Sequence, residues 1–220
     1  MPAPDPIFGA KKPAIAVDVV LLAMRDEELQ VGLIKRDDEP YYGKHALPGR
    51  FVRYEEPIET TARKALELKG RIDADAVYLE QLYTFGQDLE RDTRIRAITI
   101  VYYALLDRET IARQEGNTFL WHAVARLPPL AFDHAEIIRF AVRRIGENAW
   151  SSDVIFKLAP REFTLSDLQR IFQAVQDKPL DKRNFRKKLQ QVFRLKDLTR
   201  DRRDGAHRPA RLYSFVELRE

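Results

Sequence analysis

The sequence predicts an α+β protein: a mixed sheet with helices packed on it, followed by a smaller basic module of two helices and a hairpin. Three observations carry this. Along the first 150 residues the hydrophobic period switches from two to about 3.6 and back again. After "NAWSSDVIFKLAP" come two amphipathic helix patterns separated by a very short turn, then two strand-like runs. Charge divides at the same place. Residues 1–150 hold 21 Lys/Arg against 24 Asp/Glu, whereas residues 151–220 hold 17 against 10. A neutral-to-acidic module joined to a basic one points to a polyanionic partner for the second; a solvated basic tail is the alternative on charge alone.

The first elements follow in order. "AIAVDVVLLAMRDEELQVGLIKRD" places two apolar runs around the polar turn "RDEE", the signature of a hairpin. "PYYGKHALPGRFV" is a Gly- and Pro-containing loop that returns to a short strand. From Pro57 the period becomes helical, with Ile58, Ala62, Ala65 and Leu66 on one face and Gly70 near the C-terminal end. "VYLEQLYTFG" and "RIRAITIVYYALLD" read as strands, the second apolar enough to lie inside a sheet. "LPPLAFDHAEIIRFAVRRIGENA" opens a helix at Asp133, a plausible N-cap, and buries Ile137, Ile138, Ala141 and Ile145. The first module therefore spans residues 1–150 and the second 151–220.

In the second module Thr164 caps a helix with Asp167 three residues on, and Leu168, Ile171, Phe172 and Val175 form its apolar face. "KPLDKRNFRKKLQQVF" follows, with Pro179 suited to a first helical turn and Phe185, Leu189 and Val192 facing inward. "FRLKDLT" and "RLYSFVEL" are strand-like and joined by the basic "RDRRDGAHRPA". Two helices and then a hairpin with a basic tip is the order of a winged helix-turn-helix.

Composition narrows the class. Hydrophobic residues are 45% and charged residues 33% of the 220, ordinary for a soluble globular chain. With no cysteine, neither a disulfide framework nor a cysteine-ligated zinc site is possible, which fits a reducing cytoplasm. The N-terminus lacks the pattern of a signal peptide, and no apolar run approaches the roughly 20 residues of a membrane span. Cytoplasmic location and no membrane partner are the expectation.

"ALPGRFVRYEEPIETTARKALELKGRI" resembles the Nudix box, a loop-helix-loop in which glutamates hold Mg²⁺ or Mn²⁺ against a diphosphate. Leu47, Pro48, Gly49, Phe51, Val52, Glu56, Ile58, Ala62, Leu66 and Ile72 fall in register without gaps. The chemical positions do not: Arg50 replaces a glycine, Lys64 an arginine, Ala65 its glutamate, and Leu68 and Lys69 the glutamate pair. Shifting the frame by one residue still leaves Lys64 and Leu68 where acids belong. Hard divalent cations need several oxygen ligands. The expectation is no bound metal, no cofactor and no catalytic residue, with Glu55, Glu56, Glu59 and Glu67 on a solvated face. Arg50 reads equally as a diphosphate-binding cation or a surface arginine.

The whole chain resembles the Nudix-related transcriptional regulators of the NrtR type. "ALPGRFV", "YLEQLYTFG", "LPPLAFDHAEII", "EFTLSDLQRIF", "PLDKRNFRKKL" and "HRPARLYSF" match in type and order. The resemblance implies a Nudix-like α/β/α sandwich with a mixed sheet before a C-terminal winged helix-turn-helix. It further implies a homodimeric repressor that binds ADP-ribose or a related nucleotide or sugar metabolite, commonly in control of NAD metabolism. A Nudix pyrophosphohydrolase with a nucleic-acid tether is the alternative, and the missing acids argue against it.

Site residues follow from both readings. A diphosphate needs cations and a base or sugar needs an aromatic wall, so Arg36, Arg50, Tyr83, Phe85 and Arg96 are the effector candidates. Arg36 or Arg50 could equally be bystanders, and Tyr83 and Phe85 strand-core residues. Between Lys178 and Arg211 stand 13 Lys/Arg against four acids, a surface for double-stranded DNA. Lys182, Arg183, Asn184, Arg186 and Lys187 lie toward the start of the second helix, which would enter a major groove. Arg202, Arg203, His207 and Arg208 lie at the hairpin tip, suited to backbone or minor-groove contacts. One such helix reads a short half-site, so a palindromic operator and a dimer joined mainly through the first module are expected.

Overall fold

The computed structural model describes residues 12–113, 116, 118–202 and 209–216. The expected α+β class holds. β1 (Ala14–Arg25) and β2 (Glu28–Lys35) form an antiparallel hairpin. Its turn residues Asp26 and Glu27 both take left-handed φ values of 48° and 65°, the pairing whose twist matches that of the flanking strands. β3 (His45–Ala46) and β4 (Gly49–Phe51) are short strands cut from the Gly- and Pro-containing loop. β5 (Tyr78–Phe85) is an edge strand and β6 (Ala97–Leu106) lies inside it, parallel to β1. The path runs β3-β2-β1-β6-β5, with β4 on β1 and β7 (Leu120–Ala123) on β2. The sheet is mixed because β1 and β6 run parallel while every other pairing is antiparallel.

Alternation along β1 assigns the two faces. Val17, Val19 and Leu21 pack with Ala62, Ala65 and Leu66 of α1 (Ile58–Gly70). Val20 and Leu22 pack on the other face with Ile137, Ile138 and Ala141 of α3 (His134–Asn148). A short α2 (Arg108–Arg113) follows β6. α1 ends where Arg71 takes a left-handed C-cap and donates to the Glu67 carbonyl, with the Ile72 amide donating to that of Leu66. Asp133 occupies the N-cap of α3 as expected, but its carboxylate makes no capping bond. That carboxylate is held by Arg91 instead.

In the second module α4 (Leu165–Gln176) carries a complete capping box between Thr164 and Asp167, and Leu168, Ile171, Phe172 and Val175 are buried. α5 (Lys182–Val192) starts later than Pro179, because the Asp181 side chain accepts from the Asn184 amide and sets the N-cap there. Val192 is 44% exposed rather than buried. β8 (Leu195–Arg202) and β9 (Ala210–Phe215) pair antiparallel as the wing, and Phe163 exchanges backbone hydrogen bonds of 2.9 and 2.8 Å with Tyr213.

The two modules share one apolar core. Val20, Leu22 and Leu33 belong to the same buried cluster as Phe172, Phe185 and Leu189. α3 and α4 meet at Gly146, where the Gln176 amide donates to the Gly146 carbonyl at 3.0 Å.

Candidate effector site and nucleic-acid interface

Strand register sets the effector-side residues in two rows on the α3 face. Phe85 pairs with Thr99, Thr99 with Ala16, and Ala16 with Phe51. Next to it, Tyr83 pairs with Val101, Val101 with Asp18, and Asp18 with Gly49. Tyr83 and Phe85 also meet Phe140 of α3 at ring-centroid distances of 5.0 and 5.4 Å. Thr99 is fully buried, and its hydroxyl has no hydrogen-bond partner among the described residues. Glycine at position 49 is a steric necessity: a Cβ there would stand 2.1 Å from Asp18 Oδ1.

Over these rows lies a buried polar cluster. Arg91 clamps Asp133 in two hydrogen bonds of 2.9 and 2.8 Å, and reaches Asp18 at 3.5 Å. His134 Nδ1 accepts the Leu47 amide at 2.9 Å, so its proton sits on Nε2, which faces Asp18 at 3.8 Å. Burial holds the His134 pKa below its ordinary value, which keeps the ring neutral. Removing Arg91 would leave two carboxylates without their guanidinium, a loss on the order of 3–5 kcal/mol.

Aromatic and cationic side chains continue the cluster outward. Arg36 and Arg94 lie 5.0 and 5.4 Å from the Phe132 ring centroid, and Arg94 also lies 5.6 Å from Phe51. Tyr41 meets Phe132 edge-on at 4.9 Å. Tyr41 and Phe132 hold left-handed φ values of 69° and 54°, a conformation costing aromatic residues roughly 1–3 kcal/mol each unless the surroundings impose it.

The five sequence candidates separate here. Arg36 lies in the cluster, and Tyr83 and Phe85 lie in its rows. Arg50 pairs with Val17 and so faces α1, where it lies 3.5 Å from Glu56. Arg96 is committed to the carbonyls of Gly86, Asp88 and Ala97, fixing the base of the 86–96 loop. Sequence reading missed Arg91, Arg94, Phe132 and Tyr41, because a loop carries no periodicity. Asp133 and Phe51 were read for a cap and a motif rather than a site.

On the α1 face the Glu56 side chain, expected on a solvated face, is buried and paired instead. Lys64 Nζ lies 2.8 Å from Glu56 Oε1, and the Glu56 side chain is 6% exposed. The Lys64 hydrogen bond, with Arg50 adding to it, holds the Glu56 carboxyl below the usual carboxylate range. No group of three potential metal ligands exists among the described residues.

In the second module Lys182, Arg183, Asn184, Arg186 and Lys187 are all exposed on α5, while Phe185 and Leu189 anchor the helix beneath them. Arg202 is turned to Asp167, at 3.0 Å, and ties the wing to the start of α4. Arg203, His207 and Arg208 lie outside the described residues.

Known proteins resemble each part. The family model of the NrtR DNA-binding winged helix domain matches residues 155–215. The ADPR responsive transcriptional repressor NtrR of Acinetobacter baylyi is 30% identical over 211 residues, covering 93% of this chain and 82% of that protein. The crystal structure of Shewanella oneidensis NrtR with a 27mer DNA superposes with a TM-score of 0.78 at 32% identity, covering 92% of this chain and 93% of that one. The NUDIX domain of the same protein, solved with ADP ribose, gives a TM-score of 0.55 at 31% identity, covering 64% of this chain and 93% of that one. The ADP-ribose pyrophosphatase of Methanocaldococcus jannaschii is 32% identical over 133 residues, 60% of this chain and 74% of that enzyme.

Proposed function

We propose, from the premise that this chain belongs to the NrtR family of transcriptional regulators, that it is a repressor whose operator binding is governed by ADP-ribose or a closely related metabolite. Residues 1–150 form the effector-sensing unit and residues 151–220 the DNA-binding unit. The observation that carries the reading is α3. Its first turn follows Phe132 and Asp133 in the polar cluster, and its last turn holds Gly146 against α4. A ligand that repositions Arg91 or Phe132 therefore acts on the helix that seats the winged helix. Coupling of this kind needs the effector to bind the two arrangements of α3 with different affinity.

The sensing unit is not a hydrolase in this reading. Metal-assisted attack on a diphosphate requires cations held by carboxylates, and here Lys64 neutralises Glu56 directly. The likeness to a pyrophosphatase supports ancestry of the pocket, and the lost acids support a pocket that binds and releases its ligand unchanged. The chain acts as a homodimer, joined through its first units, on a palindromic operator.

Fluorescence anisotropy with DNA from upstream of its own gene tests the reading. Full-length protein is expected to bind that DNA tightly, with an affinity that changes at least tenfold when ADP-ribose is added. DNA affinity indifferent to ADP-ribose and to related nucleotides would overturn it.

A further inference from the structure

Arg36 and Arg94 come from distant parts of the chain yet meet at one ring. Each guanidinium commits one edge to the protein. Arg36 donates through Nε to the Pro40 carbonyl and through Nη2 to that of Asp38. Arg94 donates through Nε and Nη2 to the Asp92 carboxylate. Among the described residues the Nη1 group of each has no hydrogen-bond partner. Phe132 braces both cations, and its left-handed backbone shows that the surrounding chain, not local preference, holds it there. Lys44 stands near, 5.2 Å from the Tyr41 ring. Asp92 is hydrogen-bonded to Arg94 and Asp38 lies near it, so the cluster as a whole is close to charge-balanced; what points to an anion is the two Nη1 donor groups left open beside one ring.

We propose that Arg36 and Arg94, braced across Phe132, form the clamp that holds the effector's diphosphate, with Phe51 as the ring on which its base lies. The clamp rests on the effector reading given above and names its chemistry. Guanidinium groups bind phosphate oxygens through paired N–H donors and stack on aromatic rings at the same time, so two preorganised arginines hold a diphosphate without a divalent cation. Phe51 is 40% exposed and touches Arg94, which places an open aromatic face beside the anion site. A ligand with two linked phosphates engages both arginines. A monophosphate engages one.

Calorimetric titration of the full-length chain with ADP-ribose, ADP and AMP, in EDTA throughout, tests the clamp. Wild type is expected to bind ADP-ribose without metal and to prefer ADP over AMP at least tenfold. In Arg36→Gln and Arg94→Gln that preference should collapse toward unity, whereas a general loss of fold would weaken both ligands alike. Arg36→Lys and Arg94→Lys, which keep charge but lose the planar edge, should fall between. Phe51→Leu should weaken ADP and AMP equally, leaving their ratio intact. A preference for ADP that survives Arg36→Gln/Arg94→Gln overturns the clamp alone. Failure of the folded wild-type chain to bind ADP-ribose, with or without Mg²⁺, overturns the effector reading as well.

Discussion

Gly146 in α3 lies so close to Val175 in α4 that an added Cβ would stand 2.3 Å from the Val175 carbonyl oxygen. Backbone cannot yield there as a flexible side chain would. Gly146→Ala is therefore expected to push the two helices apart at a cost of about 1–3 kcal/mol, seen as a lowered denaturation midpoint. The same change should shrink the difference in operator affinity with and without ADP-ribose. A variant with wild-type stability and wild-type effector response would show that the contact transmits nothing.

Ala65, Leu68 and Lys69 stand where the metal-binding acids are expected, and this fixes a second outcome. Incubation with ADP-ribose and Mg²⁺ or Mn²⁺ should release no AMP above a protein-free blank, far below the roughly 1 s⁻¹ of ordinary enzymes. The Glu56 carboxyl titrates below its ordinary value because Lys64 hydrogen-bonds it. A depressed carboxyl contributes stability above its unfolded pKa and loses it as pH falls through the folded one. Lys64→Met should raise the Glu56 pKa toward its ordinary range, measurable by NMR titration of the side-chain carboxyl.

Asp167 closes the capping box of α4 and also pairs with Arg202 of the wing. Burial alone would raise its pKa, but the hydrogen bonds from Arg202 and Thr164 outweigh burial and lower it. Asp167→Ala should cost about 1–2 kcal/mol through the lost N3 half of the capping box and the lost pair with Arg202. Its contribution to wild-type stability should be complete above pH of about 4 and fade as acid reaches the folded pKa. Denaturation curves of both proteins between neutral and acid pH, converging at the acid end, are the expected result.

Arg183 and Lys187 project from α5 into solvent, above the buried Phe185 and Leu189. Alanine at both should weaken operator binding and lower the slope of log affinity against log salt by about 4 for the dimer, one for each of the two phosphates that each protomer no longer neutralises. Asn184→Ala should mainly relax sequence preference. Footprinting should show a two-fold protected region, and deletion of residues 157–220 should abolish it. A single unsymmetrical site would refute the palindrome.

Helix faces were legible in the sequence because burial repeats with the helical turn. Ile137, Ile138, Ala141 and Ile145 in α3, and Leu168, Ile171, Phe172 and Val175 in α4, are buried as their spacing requires. Val192 obeys the same spacing but lies in the last turn of α5, past the end of the packing surface. The polar cluster was only partly legible. Tyr83 and Phe85 could be found on a strand, but Arg91 and Arg94 sit in a loop whose path is set by bonds to Asp133 and Asp92. Asp133 shows the limit most clearly. Its place at the head of a helix was readable, while its partner, 42 positions away in sequence, was not.

Because buried apolar contact runs unbroken from Val20 in β1 to Leu189 in α5, the DNA-reading helix is not leashed to its sensor by a slack tether. Two such chains joined through their first modules would hold their α5 helices like the jaws of a caliper. A caliper measures as well as grips. Such a protein would reject an operator whose half-sites are moved by half a helical turn, about 5 base pairs, even with every base it touches left intact. The distance between half-sites then becomes part of the recognised message, and a small shift in α3 resets the gauge.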